Sequence, residues 1–390
     1  MTGYKDTYIY IPKKGIIRGS IAFEKGKVIG YDEDSSFEKL DENYIVIPGF
    51  IEEHIHGCNG SDTMYATKKD LENISISLLQ DGVTSFYPTT MSMSLDDVKR
   101  ALNNIAQNKD LPGANILGIN VEGPFICKKY CGAQDPKNII KATEENIKEL
   151  IEASSNMIKI MTIAYEEADF DIVKFLLDNG IKPSLGHSDC SYTKAQEAID
   201  KGAHTLTHTY NAMRGIHHRD IGLLGAGLLN DSVYTELICD LHHVSAPAIE
   251  LLYRLKGKDK IVLITDSMEA RFLDEGQYEL GGQKVYVKNG VATLNDGTLA
   301  GSILRMNDAV KNIQKTLNIS LEEAIDFATI NPAKNMGVEK FKGSLDIGKD
   351  ADYIVIDRNL NVIKTYIAGN LVYSKIDKNL QNFNFYIQYN

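Results

Sequence analysis

Short, nearly continuous apolar runs recur along this chain at residues 44–47, 83–87, 116–121, 158–163, 182–185, 203–206, 233–239 and 261–264. A strand buried on both faces reads this way, whereas a half-exposed strand alternates, so each run predicts a buried parallel strand. Between most of them lie stretches with helical spacing, at 68–80, 94–107, 143–153, 170–177 and 192–201. Eight strands alternating with helices is the count of an α/β (β/α)₈ TIM barrel, although a doubly wound sheet also alternates. The ends have a different texture. TYIYIPKKGIIRGSIAFEKGKVIG near the start and GSLDIGKDADYIVIDRNLNVIKTYIAGNLVYSK near the end read as short strands joined by Gly and Lys-Gly turns. The expectation is a barrel over 49–342 and a small β-sandwich domain assembled from 1–48 and 343–390. Helical stretches at 304–316 and 320–329 connect the two.

Composition narrows the function. A formal net charge of -11 argues against a nucleic-acid or anionic-membrane surface, because phosphates attract Lys and Arg. The chain has no apolar run long enough to span a bilayer, and MTGYKDTYIYIPKKG has no signal-peptide h-region. The five cysteines are odd in number and scattered, and Cys127 and Cys131 have no second pair to complete a zinc motif. Reduced thiols and a cytoplasmic location are expected. No GxSxG elbow, GxGxxG turn or P-loop opens a helix, so neither a serine nucleophile nor a nucleotide cofactor is expected.

The candidate chemistry lies where the runs end. His54 and His56 follow the first run in EEHIHG, and Glu122 follows the third in NVEGP. His187 follows the fifth in LGHSD, His208 the sixth in TLTHTYNAM, and Asp266 the eighth in LITDSM. All six fall at the C-terminal ends of predicted strands, the face on which barrels build active sites. Imidazole with carboxylate suits Zn²⁺ or Fe²⁺. Residues two apart on a strand project to one side, so His54 and His56 can reach a common ion. His204 falls too early on its strand and reads as a core or supporting residue. His217 and His218 sit in a loop beside Arg219, and either His242 or His243 can face the site.

Several longer segments carry a resemblance: PGFIEEHIHG, NVEGPF, GAQDP, GHS, THTYNAM, the His-Val of DLHHV, TDSM, LAGS and NPAK, in that order. Together they resemble the N-acetylglucosamine-6-phosphate deacetylases of the amidohydrolase superfamily, over about residues 45–357. The resemblance implies metal-dependent hydrolysis of an N-acetylated amino-sugar phosphate to acetate and the free amine, in amino-sugar catabolism, by a homodimer with one or two ions per subunit. It implies that Glu122, His187 and His208 hold the main ion, and that His54 and His56 match positions holding a second ion in some members. Asp266 matches the catalytic acid and base, and His243 the histidine that contacts the carbonyl or sugar. Asn211, Ala212 and Arg219 match the phosphate-binding segment, while Gly132-Ala133 and Leu299-Ala300 match the sugar and acetyl pocket. Two departures stand out: Cys127-Lys128 where Ser-Pro is usual, and Leu241-His242 where Gly precedes a hydrophobic residue. The competing readings are an N-acetylgalactosamine-6-phosphate deacetylase, another amidohydrolase, and a non-catalytic scaffold. Cyclic-amide hydrolases carry a metal-bridging lysine at the end of the fourth strand, whereas MIKIMTIAYE has only Lys159, near its start.

Overall fold

Parallel strands Phe50–Ile55, Val83–Thr90, Ile119–Glu122, Ile158–Ile163, Lys182–Leu185, Thr205–Leu206, Tyr234–Ile238 and Ile261–Ile264 follow one another around a (β/α)₈ barrel. The computed structural model describes residues 1–375. The part of the expected C-terminal β-segment over 376–390 lies outside the described residues. The seam between first and eighth strands closes without a regular ladder. Thr265 N–H donates to the Glu52 carboxylate at 3.2 Å and Asp266 N–H to His54 O at 3.0 Å, while Ile51 N–H turns to Ala328 O, between the helices Leu321–Asp326 and Ile330–Met336. Burial lifts Glu52 to about 7, opposed by Arg271.

The first apolar run is not a barrel strand. Tyr44–Pro48 lies in the terminal sheet, parallel to Thr2–Ile11 and antiparallel to Tyr353–Asp357. The first barrel strand is instead Phe50–Ile55, whose Glu52, Glu53 and His54 are all buried. The terminal sheet has seven strands in the order Asn370–Ser374, Val362–Ile367, Tyr353–Asp357, Tyr44–Pro48, Thr2–Ile11, Gly15–Glu24, Lys27–Gly30. Its period-2 alternation splits its apolar residues between two cores. Ile9, Val46, Tyr353 and Val355 join Phe23 in the domain's own cluster, while Tyr10, Ile45, Ile47, Ile354 and Ile356 face the barrel core. Gly49 N–H donates to Asp352 O at 3.0 Å, so both chain ends fix the entry to the strand that carries His54.

Helices cover the barrel for ordinary reasons. In Leu95–Gln107 the buried Val98, Ala101, Leu102 and Ile105 recur at helical spacing, and the Ser94 hydroxyl caps Asp97 N at 3.2 Å, a bond worth about 1 kcal/mol. Gly222–Leu229 and Ala246–Lys256 complete the ring, and Met306–Leu317, Leu321–Asp326 and Ile330–Met336 lead back to the terminal sheet. After the eighth strand the chain inserts a three-stranded antiparallel sheet, Gly276–Leu280, Gln283–Lys288 and Val291–Thr293. It leans over the C-terminal mouth of the barrel, where Gln283 hydrogen-bonds to Ala133 O.

Candidate active site

The strand ends turn sharply at the site. His187, His208 and Asp266 adopt left-handed φ values of 46°, 29° and 47°. Non-glycine residues avoid this region, and when they occupy it they cluster at functional sites. Each is held by main-chain bonds: Cys127 N–H to His187 O at 2.8 Å, Asn211 N–H to His208 O at 2.9 Å, and Ser302 N–H to Asp266 O at 2.8 Å. Two glycines make room. A Cβ at Gly57 would meet Ser61 O at 2.1 Å, and one at Gly186 would meet Thr207 Cβ at 2.5 Å.

Six side chains converge as two triads around one carboxylate. Glu122 Oε1 lies 2.9 Å from Nε2 of both His187 and His208. Its Oε2 lies 3.1 Å from His56 Nε2 and 3.7 Å from His54 Nε2. Asp266 Oδ1 completes the second group, 3.2 Å from His56 Nε2 and 3.5 Å from His54 Nε2. All six residues are buried. His187 Nδ1–H donates to Tyr130 O at 2.7 Å and His54 Nδ1–H to Glu236 Oε2 at 3.0 Å, so in its neutral form each ring turns a lone pair at Nε2 toward the cluster. Among the described residues His54 Nε2 has no hydrogen-bond partner. Buried imidazole lone pairs converging on a shared carboxylate are a donor set for one or two divalent cations, and the residues fit that role.

The charges reinforce one another. Burial would raise Glu122, but His54, His187 and His208 hold it well below the usual carboxylate range. Asp266 is likewise held low, burial being outweighed by His54 and His56. Burial opposes charge on His56, yet Asp266 and Glu122 push it up to about 10. Protons and a divalent cation compete for the same nitrogens here.

Above the cluster is a cavity of about 220 Å³. His56, Glu122, His187, His208 and Asp266 form its floor, and Met91, Ala133, Leu280 and Leu299 supply apolar wall. Asn211, Ala212 and His243 line another side. Asp240 orients His243, accepting its Nδ1–H at 2.6 Å and its backbone N–H at 2.8 Å. Of the two adjacent histidines His243 therefore faces the cavity, and His242 is exposed. Ala300 is fully buried behind the wall formed by its neighbours Leu299 and Gly301.

Arg219 is not brought to this cavity. It is exposed in the loop with His217 and His218, its Nη1 2.8 Å from His218 Nε2. His204 sits at the opposite, N-terminal end of its strand, 3.4 Å from Lys182 Nζ, so it supports nothing at the site. Sequence reasoning missed Glu236, Gln134 and Asp240. Glu236 is hidden inside an apolar run, while Gln134 and Asp240 lie within segments already singled out, GAQDP and DLHHV. Gln134 Oε1 accepts Ser92 N–H at 2.9 Å and its Nε2 lies 3.3 Å from His187 Nε2.

A (β/α)₈ barrel with two histidine–carboxylate triads at its C-terminal mouth has the architecture of a metal-dependent hydrolase. The chain belongs to the amidohydrolase family, whose model matches residues 45–372. It is similar to the N-acetylglucosamine-6-phosphate deacetylase of Bacillus subtilis (strain 168), with 37% identity over 382 residues, 95% of this chain and 96% of that protein. The crystal structure of N-acetylglucosamine-6-phosphate deacetylase from Thermotoga maritima matches with a TM-score of 0.86 and 34% identity, covering 95% of this chain and 99% of that one. An N-acetylgalactosamine-6-phosphate deacetylase of Escherichia coli O157:H7 is 35% identical over 330 residues, 84% of this chain and 87% of that protein.

Proposed function

We infer that this protein removes the acetyl group from N-acetyl-D-glucosamine 6-phosphate, giving D-glucosamine 6-phosphate and acetate, in amino-sugar catabolism. The observation that carries this reading is the pair of triads sharing Glu122 beneath the cavity, in a chain similar over 95% of its length to a deacetylase of that substrate. We propose Zn²⁺ or Fe²⁺ as the metal: Glu122, His187 and His208 would hold one ion, and His54 and His56, with Asp266 and Glu122 beside them, would hold a second. When bound, such an ion lowers the pKa of a coordinated water from about 15.7 to about 7 and polarises a carbonyl.

The protein's own groups would do the rest. Asp266 accepts a proton from the attacking water and returns it to the departing nitrogen, one carboxylate serving both steps. His243, steadied by Asp240, would accept a hydrogen bond from a sugar hydroxyl at its second ring nitrogen, or donate to the acetyl oxygen when that nitrogen carries a proton. Ala133, Leu299 and Ala300 shape the acetyl and sugar pocket and help exclude water. Asn211 and the backbone at Ala212 would receive the phosphate. Left-handed φ at His208, Tyr210 and Ala212 supports this, because such alternation turns N–H groups into an anion-binding concavity.

Arg219, outside the cavity of its own chain, would grip the phosphate in a second copy's site, within a cytoplasmic homodimer. The exposed Ile216 beside it and Leu241 near the mouth support a chain–chain contact there. The five free cysteines support a reducing compartment. Among the described residues no helix is long and apolar enough to cross a membrane.

The galacto epimer is the second reading, favoured by the Escherichia coli relative. A lysine-bridged cyclic-amide hydrolase is disfavoured because Lys159 is exposed at the start of its strand. The test is stripping by a chelator, followed by reconstitution with Zn²⁺ or Fe²⁺ singly. Acetate release from N-acetylglucosamine 6-phosphate should vanish and return with one of them. Undiminished release from stripped protein would overturn metal dependence.

A further inference from the structure

One oxygen of Glu236 serves both triads. The residue is in mid-strand in Tyr234–Ile238 and is 1% exposed. Its Oε2 accepts His54 Nδ1–H and the backbone N–H of His208, each at 3.0 Å. Its main-chain carbonyl accepts Thr209 N–H at 2.9 Å. Its other oxygen, Oε1, has no hydrogen-bond partner, and His54 is its one ion-pair partner among the described residues. Burying a carboxylate away from Lys or Arg is costly, so its presence needs a reason beyond packing.

The contacts supply one. Holding Nδ1–H of His54 fixes the tautomer whose bare Nε2 points at Asp266 and Glu122. Holding the N–H of His208 pins a residue at φ 29°, from which its ring meets Glu122 and His187. We propose that Glu236 is a positioning residue that couples the two ion subsites, setting one ligand of each through a single oxygen. It touches neither substrate nor ion. The inference rests on the reading that this cluster binds divalent metal.

The test compares full-length wild type with Glu236→Ala, Glu236→Gln and His54→Ala. Zn²⁺ affinity is measured by chelator competition, ion content by elemental analysis, and melting of the stripped protein by calorimetry. Partners that orient metal ligands are worth about 10- to 100-fold in affinity, and Glu236→Ala should weaken Zn²⁺ binding by that factor in both subsites. Glu236→Gln keeps an acceptor oxygen without the charge, so its loss should be smaller, and it covers the case in which the alanine variant does not fold. Melting of the stripped protein should fall less in Glu236→Gln than in Glu236→Ala, since the amide oxygen can still accept from His54 Nδ1–H and His208 N–H. Unchanged Zn²⁺ affinity in both Glu236 variants overturns the proposal, whether the wild type holds one ion or two, because His208 belongs to the main subsite. Acetate release is not the readout. Wild type that binds Zn²⁺ but releases no acetate would sink the proposed activity and leave this result standing.

Discussion

Asp266→Asn separates proton transfer from the other duties of this residue. Asparagine has nearly the same shape and tolerates the left-handed φ of 47° at this position, so the turn bonded to His54 O and Ser302 N–H should persist. Its amide oxygen can still face His56 and His54, where Asp266 Oδ1 lies 3.2 and 3.5 Å away. What disappears is a group able to take a proton and give it back. Positioned acid–base groups contribute roughly 10²- to 10⁴-fold, so kcat should fall by that factor with KM little changed. In barrier terms this is about 2.7–5.5 kcal/mol. The assay is steady-state acetate release, run beside elemental analysis so that a lost ion is not mistaken for a lost proton carrier. Near-normal turnover at normal metal content would remove Asp266 from the chemistry.

Three further outcomes are expected. Arg219→Ala should lower kcat/KM for the phosphorylated sugar by roughly 10- to 150-fold, the worth of a charge-assisted bond, while hardly affecting the unphosphorylated sugar; an unchanged ratio between the two would place the phosphate site elsewhere. Asp81→Asn strands Arg271, which is fully buried and ion-paired to it, so unfolding in urea should show a loss of about 3–5 kcal/mol; a negligible loss would mean the pair is not formed as seen. His204 is depressed from 6.5 to about 4, by burial and then by Lys182. The unfolded chain therefore gains a proton before the folded one, and up to about 3 kcal/mol of stability present above pH 6.5 is lost as the pH falls toward 4. His204→Asn should flatten that part of the stability curve, and an identical pH dependence would contradict the assignment.

Much of the barrel was legible because a strand buried on both faces is written as an unbroken apolar run. The same rule misled at the first strand. FIEEHI carries two glutamates and a histidine in fully buried positions, so it does not look like a core strand, whereas the neighbouring apolar run pairs with the chain ends instead. Gly222–Leu229 was invisible as a helix because it is apolar all round and has no periodic face. In the sheet formed by Gly276–Leu280, Gln283–Lys288 and Val291–Thr293 the last two strands alternate in burial, but the sheet interrupts the expected strand–helix rhythm. At the site, residues at strand ends could be read from position alone. Glu236 could not, because a single acid inside VYTELIC gives no periodic signal and its purpose appears only once His54 and His208 are beside it. Arg219 shows the opposite limit: its segment is informative, but one chain's geometry leaves it outside the cavity.

The most direct test of the account is kcat/KM for acetate release by metal-loaded protein from N-acetylglucosamine and N-acetylgalactosamine, each with and without the 6-phosphate. The account predicts the highest value for N-acetylglucosamine 6-phosphate, with the unphosphorylated sugar at least about tenfold poorer, since losing the phosphate forfeits charge-assisted contacts. A higher value for the galacto phosphate would transfer the assignment to that epimer, and no acetate from any of the four would contradict the deacetylase reading itself.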